Sequence, residues 1–205
     1  MKITFSFQLI KQILESSNKI VDSIKQIYAK YIRFFQILLN IKSTHLYHYN
    51  KGTITIVDNT KGIVDNGIAY NEKRRILYFA QTLEKKLFVY KVQNDNETIT
   101  LLKTINLDYA IDNIFYDTKT EILSIGVIGK IINYAKFGAK SLDSDTVEYD
   151  EVYGGLVELD TKNNDTITLV NMIKGELRGI SSAYRFNNSI YYISPEEKGL
   201  LICDI

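Results

Sequence analysis

Hydrophobic positions along this chain follow two different periods, and the change falls near residue 42. Ahead of it, Ile10, Ile13, Ile20, Ile24, Ile27, Tyr31, Phe34 and Leu38 recur in alternating steps of three and four, with Ser17 as the polar interruption. Leu14, Val21, Tyr28 and Phe35 run beside that stripe, while Lys11, Lys19, Asp22, Lys25, Lys30 and Arg33 fall largely on the other side. This spacing predicts one long amphipathic helix over roughly residues 8 to 40. Its apolar face is wide, as in a helix packed on a protein body or lying on a membrane surface. No glycine or proline interrupts residues 2 to 51.

After Lys42 the period becomes two. Short β-branched and aromatic runs alternate with Gly, Asn and Asp, which is the signature of strands and tight turns. Thr53–Val57, Arg75–Ala80, Lys86–Lys91 and Thr98–Leu102 read as strands. Glu121–Gly126, Gly155–Asp160, Thr166–Val170, Ser189–Ile193 and Leu200–Asp204 continue the pattern. No long helical pattern separates them, which argues against a parallel α/β sheet.

The strands repeat as units. Asn66-Gly67-Ile68-Ala69-Tyr70 opens one unit and Asp112-Asn113-Ile114-Phe115-Tyr116 the next, with Asn66 and Asn113 47 residues apart. A third unit opens at Gly179-Ile180-Ser181-Ser182, and His45 to Val57 reads as the outer strand pair of an earlier one. The interval suits a four-stranded propeller blade. The expected fold is therefore all-β: a partial β-propeller of about three to four four-stranded antiparallel blades over residues 43–205, preceded by the helical segment 1–42.

Composition narrows the function classes. The 205 residues are 45% hydrophobic and 24% charged, with a net charge of +1. Wholesale disorder is excluded, and so is a molecule that grips nucleic acid by overall charge. The charge is uneven, however: residues 1 to 42 carry +5 and the remainder −4. One cysteine, Cys203, excludes a disulfide scaffold and a cysteine-built zinc site. Two histidines, His45 and His48, leave little imidazole for acid–base work. No serine lies in a nucleophile elbow, and no Cys–His arrangement exists. No clear signal peptide is legible, because Lys11 cuts short the apolar run from Ile3 to Ile10.

Residues 44 to 205 resemble the C-terminal half of the paraoxonase/arylesterase family of six-bladed propellers, and more distantly the gluconolactonase-like propellers. The residues that carry this are Asp65-Asn66-Gly67-Ile68-Ala69, Leu83-Glu84-Lys85-Lys86-Leu87-Phe88-Val89-Tyr90, Ile111-Asp112-Asn113-Ile114 and Gly199-Leu200-Leu201-Ile202-Cys203-Asp204. The resemblance implies a calcium-dependent hydrolase of aryl esters or lactones, secreted or membrane-associated. It implies that Asn66, Asp112 and Asn113 are calcium ligands. Two amides and one carboxylate are a plausible half shell for a cation that takes six to eight oxygens. The same residue types are also common turn formers ahead of strands.

The chain departs from the family's pattern in places. The family's catalytic histidines and remaining ligands, including a Glu, belong to blades not matched here. His45 and His48 correspond to no catalytic position, so no catalytic residue is assigned. In the family the cysteine matching Cys203 pairs with one near the N-terminus, and the helical segment stands where a strand usually completes the last blade. The expected site is weak and incomplete, and open strand edges invite self-association. Two further readings compete with the hydrolase: a truncated, non-catalytic propeller fragment, and a membrane- or partner-binding module led by residues 8 to 40. A connection at residues 128 to 152 carries Asp143, Asp145, Glu148, Asp150 and Glu151 and reads as a solvated acidic loop or a lid.

Overall fold

The computed structural model describes residues 39, 41–93, 98–129, 153–163, 165–174, 177, 180–194 and 199–205. The chain divides into two compact units, Met1–Lys42 and Ser43–Ile205. The helix expected over residues 8 to 40 and nearly all of the acidic connection lie outside the described residues. Among those described, every regular element is a strand.

Among the described residues, thirteen strands form four antiparallel sheets. Strands β1 (Tyr47–Asn50) and β2 (Thr53–Ile56) make a hairpin. The second sheet is a meander of β3 (Asp65–Asn71), β4 (Ile76–Gln81), β5 (Lys86–Val92) and β6 (Ile99–Asn106). The third repeats it with β7 (Ala110–Asp117), β8 (Ile122–Ile128), β9 (Tyr153–Asp160) and β10 (Thr166–Lys174). The last sheet has β11 (Ser182–Phe186), β12 (Ser189–Ile193) and β13 (Leu200–Asp204). Within each sheet every strand pairs with the next in sequence, and between β8 and β9 the long connection that begins after Ile128 intervenes before Tyr153.

The turns explain why the strands stop where they do. Asn71, Asp117 and Asp160 each close a strand and accept a hydrogen bond from a backbone N–H two or three residues on, at Arg74, Lys119 and Lys162. These side chains imitate a backbone turn and fold the chain back. The last turn residue is left-handed at Arg75 (φ 54°), Glu121 (φ 58°) and Asp165 (φ 54°).

The middle strands are apolar on both faces because a sheet packs on each side. From β5, Leu87 and Val89 point into a core shared with β7, β8 and β9, which contribute Ile111, Leu123, Ile125, Val127, Val157 and Leu159. Phe88 and Tyr90 point the other way, against Val57 and Leu46. A further core joins Leu156 to Ile180 and to Ala183, Ile190 and Tyr192 of the last sheet. The first strands of successive sheets lie together: β3 contacts β7, and β11 contacts β7 and β8.

Candidate functional site

Asn66, Asp112 and Asn113 sit inside the first strands, a little further along the chain than the loop positions their residue types suggest. In both sheets the pairing register shifts there, between Asp65 and Ile68 in β3 and between Ile111 and Ile114 in β7. A bulge leaves residues out of the ladder and re-aims their side chains. Glycine at 67 lets the two bulges approach. A Cβ there would lie 2.6 Å from Asp112 O and 2.8 Å from Ile114 N, closer than any side chain tolerates.

The approach brings Asn66 onto Asp112, with Asn66 Nδ2 donating to Asp112 Oδ1. Asp112 is 9% exposed, whereas Asn66 and Asn113 reach solvent. Burial pushes the Asp112 carboxyl up to about 6, against the opposing effect of hydrogen bonds from Asn66 and Ser181. Among the described residues no cation pairs with it. Asn113 turns toward Ser181: its Nδ2 donates to Ser181 Oγ at 2.6 Å and to Ser181 O at 3.2 Å. The four side chains form one polar cluster of two hydrogen-bonded pairs, Asn66 with Asp112 and Asn113 with Ser181, and Ser181 lies close enough to Asp112 to favour its carboxylate.

Ser181 stands just ahead of β11, and its link to the cluster could not be read from residue type. The available signal is positional, since Ser181 lies in Gly179-Ile180-Ser181-Ser182, which opens the third unit.

Asp65 belongs to a separate polar group. Burial raises its pKa and the Glu84 charge adds to that, while Thr44, Gln81 and His45 oppose the rise. Thr44 and Gln81 lie close enough to favour the carboxylate, yet neither makes a hydrogen bond of normal geometry to it. His45 lies near enough to Asp65 for its charge to oppose that rise. His48 is a strand residue of β1, opposite Thr55. Cys203 is a half-buried residue of β13, paired with Ile190.

No group of three or more His, Cys, Asp or Glu residues among those described is placed to hold a metal ion. The cluster around Asp112 has one carboxylate, two amides and a hydroxyl. Its fit to a hard cation rests on that buried, uncompensated carboxylate among neutral oxygen-bearing groups.

The Arylesterase family model matches residues 17–137, which include Asn66, Asp112 and Asn113 and stop short of Ser181. The chain belongs to the arylesterase family. Serum paraoxonase/arylesterase 1 of Mus musculus is 29% identical over 96 residues, covering 47% of this chain and 26% of the relative. Serum paraoxonase/lactonase 3 of Homo sapiens is 27% identical over 107 residues, covering 50% and 29% respectively. The stretch matched in this arylesterase-family chain thus spans under a third of either relative. A solved luciferin-regenerating enzyme superposes with a TM-score of 0.46 at 12% identity, covering 72% of this chain and 43% of that one.

Proposed function

We propose that this chain carries a weak calcium centre of the arylesterase type, in a hydrolase lineage acting on aryl esters or lactones. The observation that supports it is Asp112, a carboxylate 9% exposed and held only by neutral groups where two first strands meet. Burying an unpaired charge is costly, and a cation removes that cost. Membership of the arylesterase family and the names of the two serum relatives support the substrate class. The sheets themselves are read here as successive propeller blades, with their first strands nearest the axis.

Asp112 would supply the charge, and Asn66 and Asn113 their amide oxygens. Bound calcium supplies Lewis-acid polarisation of a carbonyl or phosphoryl oxygen. Asn66 presently offers its nitrogen to Asp112, so its Oδ1 is the atom that would serve a cation. With one carboxylate, affinity should be on the order of 10⁻⁴ M or weaker. Turnover also needs a group that moves a proton. The two histidines do not reach this cluster, and Asp112 cannot readily serve as both ligand and base. The 205 residues alone are therefore expected to show little hydrolysis.

The test is a calcium titration followed by thermal unfolding, with the wild type and Asp112→Asn compared in EDTA and in rising calcium. Wild type should gain stability with calcium by mass action, and the variant should not. An identical response from both proteins would remove the site. Calcium-dependent turnover of phenyl acetate or a lactone, lost in Asp112→Asn, would instead make the chain an enzyme as it stands.

A further inference from the structure

Ser181 has no part in the ligand set just described, yet its position is closely defined. Its N–H donates to Ile193 O at 2.9 Å, and its own carbonyl accepts from Asn113 N–H at 3.0 Å. Gly126 of β8 approaches from one side: a Cβ there would lie 2.9 Å from Ser181 O and 3.1 Å from Ser182 Cα. The backbone thus sets where the hydroxyl stands before any rotamer is chosen.

A serine hydroxyl has one proton to give and lone pairs to receive with. Asn113 Nδ2 donates to Ser181 Oγ at 2.6 Å and also to Ser181 O at 3.2 Å. Ser181 also lies close enough to Asp112 to favour its carboxylate. Two oxygens of one residue hold the nitrogen end of Asn113. The carboxamide is planar, so its Oδ1 is turned away from them.

We propose that Ser181 is the positioning residue of this centre. It holds Asn113 so that an oxygen, not an N–H, is available to a cation. Ser181 is not itself a ligand in this account. The inference rests on the cation reading under Proposed function. Removing the hydroxyl frees the Asn113 carboxamide to turn an N–H toward the ion. Loss of such an orienting partner typically weakens metal affinity by about 10- to 100-fold.

The experiment compares calcium titrations of the whole chain, read by thermal shift, for wild type, Ser181→Ala, Ser181→Thr and Asn113→Ala. Ser181→Ala should bind about 10- to 100-fold more weakly. Ser181→Thr keeps the hydroxyl and should restore binding, and the two should unfold alike in EDTA. Adding Ser181→Ala to Asn113→Ala should weaken binding less than it does alone. Equal affinity of wild type and Ser181→Ala would overturn the positioning role. Equal weakening by Ala and Thr would do so too, by pointing to packing. If Ser181→Ala fails to fold, a Ser181→Thr protein that folds but binds no better than Asn113→Ala overturns it. A wild type with no calcium response removes the centre itself, and the inference with it.

Discussion

Asp112 and Glu158 are buried to the same extent, each 9% exposed, yet the fold treats their charges differently. Glu158, on β9, has a cation of its own: Arg185 of β11 reaches Glu158 Oε2 at 3.0 Å. Burial raises the Glu158 pKa, and Arg185 pulls it back both through its charge and through a hydrogen bond. Asp112, at the bulge of β7, receives only amide and hydroxyl donors. One carboxylate completes an ion pair between sheets. The other keeps a charge that nothing among the described residues neutralises. Burial alone does not mark a site, because both residues share it; the absence of a partner for the buried charge distinguishes them.

The largest expected effect comes from neutralising Asp112. Its folded-state pKa of about 6 lies above the ordinary 3.8. The folded protein therefore binds the proton more tightly than the unfolded chain, and the stability this adds is complete below about 3.8 and lost as pH rises through 6. At about 1.4 kcal/mol per pKa unit, Asp112→Asn should stabilise the calcium-free protein by up to about 3 kcal/mol at pH 8. The gain should vanish near pH 4. Thermal melts in EDTA at both pH values decide it; a variant less stable than wild type at pH 8 would contradict the uncompensated charge.

Breaking the other pair should act in the opposite direction. Arg185→Ala strands Glu158 without its cation and should destabilise by about 1–3 kcal/mol at pH 7, less than for a fully buried pair because Arg185 is 38% exposed. Adding Glu158→Gln should recover part of that loss. Denaturant unfolding of the single and double variants measures the coupling, and purely additive effects would show the pair to be idle.

Asn66→Ala should have the smallest effect, about 1 kcal/mol, through loss of one donor to Asp112. The loss should shrink as pH falls through about 6, where the folded-state acid becomes protonated and needs that donor less. A pH-independent cost would mean that Asn66 serves the bulge rather than the carboxylate.

Much of this architecture was legible in the chain itself. The apolar run within Lys86–Lys91 marks a strand, and β5 is one, with Leu87 and Val89 on one core and Phe88 and Tyr90 on another. Asn71, Asp117 and Asp160 announce turns because their short side chains bond to backbone two or three residues away. The unit spacing matched Asn66 with Asn113, 47 residues on, and the fold brings Asn66 instead onto the neighbouring Asp112. All of this depends on interactions within a few residues or on a regular repeat, which a linear pattern can carry. Tertiary structure alone decided the rest. The paired bulges, Gly67 beneath Asp112, the bond from Asn113 to Ser181 across 68 residues and the choice of Glu158 as the carboxylate with an arginine all depend on how sheets stack. Residue type shows that an aspartate can carry a charge. Only the surroundings assembled by packing determine whether that charge is desolvated, and whether another part of the chain neutralises it.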